Sequence, residues 1–108
     1  MRIGDIILIP FPFAEFTNKK IRPAVIITET GDKYKNLVVS AINSIVPSKI
    51  STKEILLQPN KINNLRSESI IKIDRIVTLK RADKISDLGK LSSKELSEFK
   101  RILLEIIK

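Results

Sequence analysis

The chain has 108 residues, a formal net charge of +8 and a pI of about 9.9. It contains neither cysteine nor histidine, which excludes disulfides, thiolate chemistry, histidine acid–base catalysis and the usual zinc sites. The length suits one domain spanning residues 1–108, and the positive charge favours polyanions or acidic proteins as partners. Any chemistry must use Arg, Lys, Asp, Glu, Ser, Thr or Tyr side chains.

No apolar run approaches the ~18–20 residues that cross a bilayer. The start, Met1-Arg2-Ile3-Gly4-Asp5, lacks the apolar region of a signal peptide. We therefore expect a soluble cytoplasmic protein with no membrane partner.

The first predicted strand is short, from Asp5 to Ile9, because two prolines in Pro10-Phe11-Pro12-Phe13 should stop its pairing. Phe11 and Phe13 are expected to fill the core or its edge, which is the common role of such residues. An aromatic ring beside a basic loop can also stack on a base. Phe13 is therefore a candidate nucleic-acid contact.

A polar loop follows, from Glu15 to Lys20, with Thr17-Asn18 at its tip and two lysines at its end. The second predicted strand runs from about Arg22 to Thr28, and its apolar, β-branched composition is typical of a strand buried on both faces. Pro23 fits only the first residue of a strand or an edge. Arg22 should thus lie at the start of the strand, where a fixed guanidinium can pair two phosphate oxygens. A surface arginine that only aids solubility is the alternative.

Three further apolar runs, each bounded by polar residues, predict strands: Asn36–Ile42, Lys53–Leu57 and Ser69–Asp74. The first of them leads into Asn43-Ser44, polar residues where a strand leaves the core. Arg75–Leu79 either continues the last of them or forms a sixth strand. Between the fourth and fifth strands the chain is polar, with Ile62 and Leu65 as apolar anchors.

The segment from Asp83 to Gly89 is predicted to be a linker with room for one helical turn. Ser92-Ser93-Lys94-Glu95 then fits a capping box, and apolar residues recur at helical spacing along one face: Leu96, Phe99, Leu103 and Ile106. This helix must pack on the sheet or on a partner. Five or six short strands with one terminal helix predict a small, strongly curved antiparallel barrel.

Five segments in chain order carry a resemblance: Gly4–Phe13, Arg22–Ile26, Ala41–Ser44, Ser69–Leu79 and Leu88–Ser92. They resemble, respectively, the GDI-x-x-x-PFPF opening, the RPA-V-[IL] segment, the I-T-[SA] segment, the S-x-[VI]-[RK]-x-D-[KR]-[IL]-x-T-[IL] stretch and the LG-x-L junction of the PemK/MazF-like toxins. The resemblance covers essentially the whole chain, although no single motif is specific.

The resemblance implies a mainly β fold, a small SH3-like antiparallel barrel of the MazF/PemK/CcdB type with a C-terminal helix, in a two-fold homodimer. It implies the toxin of a type II toxin–antitoxin system that cleaves single-stranded RNA sequence-selectively without a metal or other cofactor. It further implies an antitoxin partner whose acidic tail covers the RNA groove, and DNA binding by the toxin–antitoxin complex. A basic surface suits both an RNA strand and an acidic tail.

The implied chemistry is attack of a ribose 2′-OH on its own phosphate, and Arg22 falls on the family's catalytic arginine. A guanidinium there stabilises charge on the phosphoryl oxygens but is a poor base, because it stays protonated. The family threonine aligns with Asn43, which has no hydroxyl. Ser44 can supply one only if the strand has ended or bulges, since adjacent strand residues point to opposite faces.

The expected catalytic residues are therefore Arg22, Asn43 and Ser44, and the expected RNA contacts are Lys19, Lys20, Thr17 and Phe13, with no metal ligand. Asn43 and Ser44 could instead merely end a strand. Two other functions stay open: a protein-binding member of the same fold, as in the related gyrase-poisoning toxins, or an inactive relative that binds antitoxin or RNA. The helix is expected to pack on its own barrel rather than cover the groove.

Overall fold

The fold is known from a computed structural model that describes residues 1–12 and 19–108, with Lys19 described in its backbone alone. In chain order the elements are β1 (Asp5–Pro12), β2 (Lys19–Glu29), β3 (Leu37–Asn43), β4 (Glu54–Leu57), β5 (Ser69–Leu79), a 3₁₀ turn (Arg81–Asp83), β6 (Ser86–Lys90) and α1 (Ser93–Ile106). The strands form one curled antiparallel sheet in the order β4-β5-β3-β2-β1-β6. The predicted mainly β fold with a C-terminal helix is confirmed.

Both faces of the sheet carry buried apolar side chains, and successive residues of a strand alternate between two buried clusters. Ile6 and Val25 belong to the cluster beneath α1, whereas their neighbours Ile7 and Ala24 belong to the second cluster. This is the two-residue period of a strand applied to a run that is apolar at every position. Phe11, at 3% exposure, fills the second cluster as predicted.

The first strand is longer than predicted, because β1 continues through Pro12, which pairs with Lys19. The prediction that the prolines stop the strand at Ile9 is wrong. β6 pairs with β1 over Asp5–Leu8, so Pro10 and Pro12 have a neighbouring strand, β2, on one side alone among the described residues. A proline is tolerated at such an edge position because its missing N–H removes no ladder bond there.

Pro23 lies inside β2 rather than at its first residue, and it too occupies an edge position. It pairs with Leu8 of β1, whereas the β2–β3 pairing starts only at Ala24. Of the two positions open to this proline, the edge is therefore the one observed. Arg22 is accordingly the fourth residue of the strand and not its start.

The fifth strand is continuous from Ser69 to Leu79, and a bulge bends it in the middle. Opposite the single step from Ser40 to Ala41 on β3, the β5 partners jump from Ile76 to Lys72. The buried Ser40 hydroxyl donates a hydrogen bond of 2.9 Å to the carbonyl oxygen of Ile73 in the bulge. A bulge of this kind strengthens the local twist, which helps the sheet to curl.

The predicted linker from Asp83 to Gly89 is wrong for most of its length, because Ser86–Lys90 forms β6 and pairs with β1. Its sequence, SDLGK, lacks the apolar alternation that marks a strand, so only pairing reveals it. The helical turn predicted within this segment is displaced towards the N-terminus, because the 3₁₀ turn spans Arg81–Asp83 and shares only Asp83 with the segment.

The capping box of α1 is confirmed. The Glu95 backbone N–H donates to Ser92 Oγ at 3.2 Å, and the Ser92 backbone N–H donates to Glu95 Oε1 at 2.8 Å. Phe99 and Ile102 are buried in the cluster beneath the helix, which packs on β4 and β5 of its own sheet. Among the described residues, no helix is long and apolar enough to cross a membrane.

The loop between β4 and β5, residues 58–68, docks on β6 at Gly89. The Lys90 backbone N–H donates to the Ile62 carbonyl at 3.0 Å, and Asn64 Nδ2 donates to the Leu88 carbonyl at 2.7 Å. A Cβ added to Gly89 would lie 2.8 Å from the carbonyl carbon of Asn63 and would also clash with the Ile62 oxygen. The glycine is therefore required for this close approach of two backbones.

The substitution Gly89→Ala is expected to destabilise the fold by about 1–3 kcal/mol, because the new methyl group must displace the loop backbone. The measurement is urea unfolding, in which the midpoint should fall. Gly31→Ala is the matched control, since a Cβ there meets nothing within 4 Å and its effect should stay within about 0.5 kcal/mol. Equal stability of the two variants would show that the loop does not depend on this contact.

Candidate functional site

A groove of about 510 Å³ lies between the first half of β2 and the β4–β5 loop. Of the residues that the structure describes, three cationic ones line it, Lys20 and Arg22 from β2 and Arg66 from the loop. Three serines also line it, Ser44, Ser67 and Ser69, and the remaining described lining residues include no carboxylate. The groove is thus suited to an anion with several oxygen atoms.

The groove opens where β2 and β3 part. Their pairing ends at Ala24 opposite Ala41, and β2 continues back to Lys19 with β1 as its neighbour. Extending the register by two residues places Arg22 opposite Asn43, on the same face of the sheet. Two residues that are 21 positions apart in sequence are brought together in this way.

The Arg22 guanidinium contacts the Asn43 side chain directly. Arg22 Nη1 donates to Asn43 Oδ1 at 3.4 Å, a long and therefore weak hydrogen bond. The same oxygen accepts a shorter bond of 3.0 Å from the Ile45 backbone N–H. Asn43 thus turns the chain at the end of β3 and contacts the partly buried Arg22 at the same time.

Ser44 is the first residue after β3, which ends at Asn43. Because the strand has ended, the rule that adjacent residues face opposite ways no longer applies to Ser44. Its exposed side chain lines the groove together with Arg22, whereas Asn43 is not among the described lining residues. The strand has therefore ended before Ser44, which is the condition under which its hydroxyl could replace the one that Asn43 lacks.

The structure brings together four of the seven residues singled out in the sequence: Lys20, Arg22, Asn43 and Ser44. Phe13, Thr17 and the side chain of Lys19 lie outside the described part of the chain. Lys20 is exposed and lines the groove.

Sequence analysis missed Arg66. Two apolar anchors were predicted in the polar stretch around it, Ile62 and Leu65. Leu65 is buried, at 8% exposure, but Ile62 is 46% exposed, so the prediction for Ile62 is wrong. The actual second anchor is the amide of Asn63, which is fully buried. The available signal was an arginine next to a buried leucine inside an asparagine-rich loop.

Asn63 determines the conformation of the loop through side chain–backbone hydrogen bonds. Its Oδ1 accepts from the backbone N–H groups of Asn60 at 3.1 Å and Leu65 at 2.9 Å, and its Nδ2 donates to the Gln58 carbonyl at 2.9 Å. A buried amide with these partners replaces the backbone pairing that the loop lacks. The backbone on the Arg66 side of the loop is therefore fixed.

A second groove, of about 570 Å³, lies between the start of β4 and α1. Three glutamates and two cations line it, Glu54, Glu98, Glu105, Lys53 and Arg101, so its charge is mixed. Within the described ranges no three acidic, histidine or cysteine side chains gather in a way that could hold a metal ion. The groove at Arg22 is therefore the better candidate for binding a polyanion.

A family model described as "PemK-like, MazF-like toxin of type II toxin-antitoxin system" matches residues 2–107. Among solved structures, the Mycobacterium tuberculosis toxin MazF-mt6 superposes with a TM-score of 0.69, over 94% of this chain and 95% of that chain, at 17% identity. At this identity the likeness to that structure shows the fold alone. A comparison with curated proteins finds no match.

Asn63→Ala is expected to loosen the loop, because two backbone N–H groups and one carbonyl lose their partner at a buried site. Each unsatisfied group costs about 1–3 kcal/mol, less where water enters. Amide hydrogen exchange should show lost protection at Leu65. Lys61→Ala, an exposed change in the same loop, is the control and should leave that protection intact. Unchanged exchange in Asn63→Ala would contradict the assigned role.

Proposed function

We propose that this chain, which belongs to the PemK-like, MazF-like toxins of type II toxin–antitoxin systems, is a metal-independent endoribonuclease that cleaves single-stranded RNA at the Arg22 groove. The observation that carries the proposal is the position of Arg22, which is partly buried, contacts Asn43 and lines a groove shared with two other described cationic residues. Such a guanidinium meets the main requirement of metal-free phosphoryl transfer, a fixed donor for developing negative charge.

In the proposed reaction the ribose 2′-oxygen attacks the adjacent phosphorus, and the bond from phosphorus to the 5′-oxygen of the next nucleotide breaks. The products are a 2′,3′-cyclic phosphate and a free 5′-hydroxyl, because the proton lost by the 2′-OH is balanced by one gained at the leaving oxygen. Negative charge grows on the non-bridging oxygens in between. Arg22 donates to those oxygens, and its planar fork can contact two of them.

Asn43 and Ser44 have different parts in this proposal. Asn43 Oδ1 already accepts from Arg22 and Ile45, so Nδ2 is the group that remains to donate to a phosphoryl oxygen. Ser44 offers the hydroxyl that Asn43 lacks, and it lies on the groove itself. A hydroxyl both donates and accepts, so it can bind a phosphoryl oxygen or pass on a proton.

Lys20 lines the groove and is proposed to bind an RNA phosphate there. Lys19, Thr17 and Phe13 are proposed as further RNA contacts from the sequence alone. The partner is an antitoxin whose acidic tail competes for the same cations, the active form is a homodimer in the cytoplasm, and the complex with antitoxin binds DNA. Charge complementarity supports the first of these, since the chain carries a net charge of +8.

A second candidate function is an inactive or protein-targeting toxin relative that binds its antitoxin or another protein without cleaving RNA. The observation that favours it is Asn43, an amide at the position where the resemblance places a threonine hydroxyl. Cleavage tests separate the two candidates.

Purified protein should cut a long, mixed-sequence RNA into discrete fragments in EDTA. Arg22→Ala should slow cleavage by about 10²–10³-fold, the usual effect of losing one fixed donor to a developing oxyanion. Arg75→Ala removes an exposed arginine that is not among the groove residues and should leave the rate unchanged. Equal cleavage by all three proteins would mean a contaminant or a misplaced site, and no cleavage by folded wild type would favour the second candidate.

Ser44→Ala and Asn43→Ala are each expected to lower kcat about tenfold or more, because each loses a hydrogen bond to a charged group worth roughly 1.5 kcal/mol. Ser44→Thr keeps the hydroxyl and should retain most of the rate. Single-turnover cleavage under saturating protein measures the chemical step. If both alanine variants cleave like wild type, the two residues only end the strand.

A further inference from the structure

We infer that Arg66 is a second phosphate-binding guanidinium of the groove, which binds the RNA phosphate next to the one at Arg22. The inference rests on the proposed function, because it deepens the description of the same RNA-binding groove. It concerns binding of the strand and not the bond that breaks, so Arg66 should affect substrate affinity more than the chemical step.

Arg66 lines the groove from a different element than the other two cationic residues. Lys20 and Arg22 come from β2, whereas Arg66 comes from the β4–β5 loop. Its neighbour Leu65 is buried at 8% exposure, while Arg66 itself is exposed. An apolar residue buried in the core thus precedes a cationic residue at the groove, which fixes the backbone at the base of the Arg66 side chain.

The backbone on both sides of Arg66 is held by side-chain hydrogen bonds. Before it, the buried Asn63 amide accepts from the Leu65 backbone N–H at 2.9 Å. After it, Ser69 Oγ donates to the Ser67 carbonyl at 3.0 Å. The loop is also attached to β6 through Asn64 and Gly89. Since the backbone is already ordered, binding at Arg66 costs little loop entropy.

The guanidinium of Arg66 is available for a ligand. Within residues 1–12 and 19–108 it makes no ion pair and no side-chain hydrogen bond, in contrast to Arg81 and Arg101, which pair with Glu29 and Glu98. The nearest acidic residue in sequence, Glu68, accepts a hydrogen bond from Gln58 Nε2 at 2.5 Å. The loop therefore presents its positive charge at the groove without neutralising it.

Two guanidinium groups on separate elements of one groove suit a ligand with repeated phosphates. A single strand of RNA offers a phosphate at each nucleotide, so one strand in the groove can meet both guanidinium groups. Serine hydroxyls accompany both arginines in the lining, Ser44 near Arg22 and Ser67 beside Arg66, and both donate well to phosphate oxygens. We therefore expect the ligand to be a single-stranded nucleic acid long enough to present at least two consecutive phosphates.

The test measures binding of 2′-O-methyl RNA, which lacks the attacking hydroxyl and stays intact, over a range of salt concentrations. Arg66→Ala should weaken binding about tenfold and reduce the slope of log affinity against log salt by about 0.7, the value for one phosphate contact on a single strand. Arg66→Lys should keep the slope but bind with intermediate affinity, because lysine retains the charge without the planar fork. Arg75→Ala, with the same loss of charge outside the groove, should match wild type.

In cleavage assays Arg66→Ala should raise KM with kcat nearly unchanged. If Arg66→Ala and Arg75→Ala show the same affinity and slope, the inference is wrong even where the wild type cleaves RNA. If the wild type does not cleave but binding still depends on Arg66, the proposed enzyme function fails and the inference stands. If Arg66→Ala weakens binding of a polyglutamate peptide but not of RNA, the residue serves an acidic protein tail, and the RNA assignment is overturned.

Discussion

The site depends on one covalent constraint, the absence of an N–H on proline. At Pro23 strand β2 has no donor to offer, and its pairing with β3 begins only one residue later, at Ala24. Within the described residues, the stretch from Lys19 to Pro23 pairs with β1 alone, and the groove lies along Lys20–Pro23. Arg22 therefore lies on a strand that is paired on one side and lines the groove on the other, a combination that neither a central strand nor a flexible loop provides.

Buried polar side chains keep the surroundings of the groove in shape. The Ser40 hydroxyl satisfies a carbonyl in the β5 bulge, and the Asn63 amide satisfies three backbone groups of the β4–β5 loop. Each of these groups would be costly if buried without a partner. The two apolar clusters supply most of the stabilisation, whereas these two side chains select the bend of the sheet and the position of the groove wall.

The local sequence was enough to predict β2, β3 and α1. Long apolar runs mark the two strands and a capping box marks the helix, and both features can be read from neighbouring residues. It was not enough for β6, whose five residues form a strand because their backbone pairs with β1. It was also not enough for Pro12, which β1 tolerates because only β2 pairs with the strand there among the described residues. Arg22 was proposed as a phosphate-binding residue from its neighbours in the sequence. Its contact with Asn43 depends on register, and the exposure of Arg66 depends on a buried amide, so both required the fold.

The bulge in β5 has a consequence beyond the curl of the sheet. β4 pairs with β5 over Ser69–Lys72, and the Ile73 backbone N–H still donates to the Lys53 carbonyl at 3.1 Å, so among the described strands the outer edge of β5 has no neighbour beyond Ile73. At that edge the bulge interrupts the regular row of donors and acceptors and exposes Asp74 and Arg75, just before the partly exposed Ile76. Irregular geometry and charge at an edge prevent another chain from adding a strand there. The same irregularity that bends the sheet thus disfavours edge-to-edge pairing of folded copies.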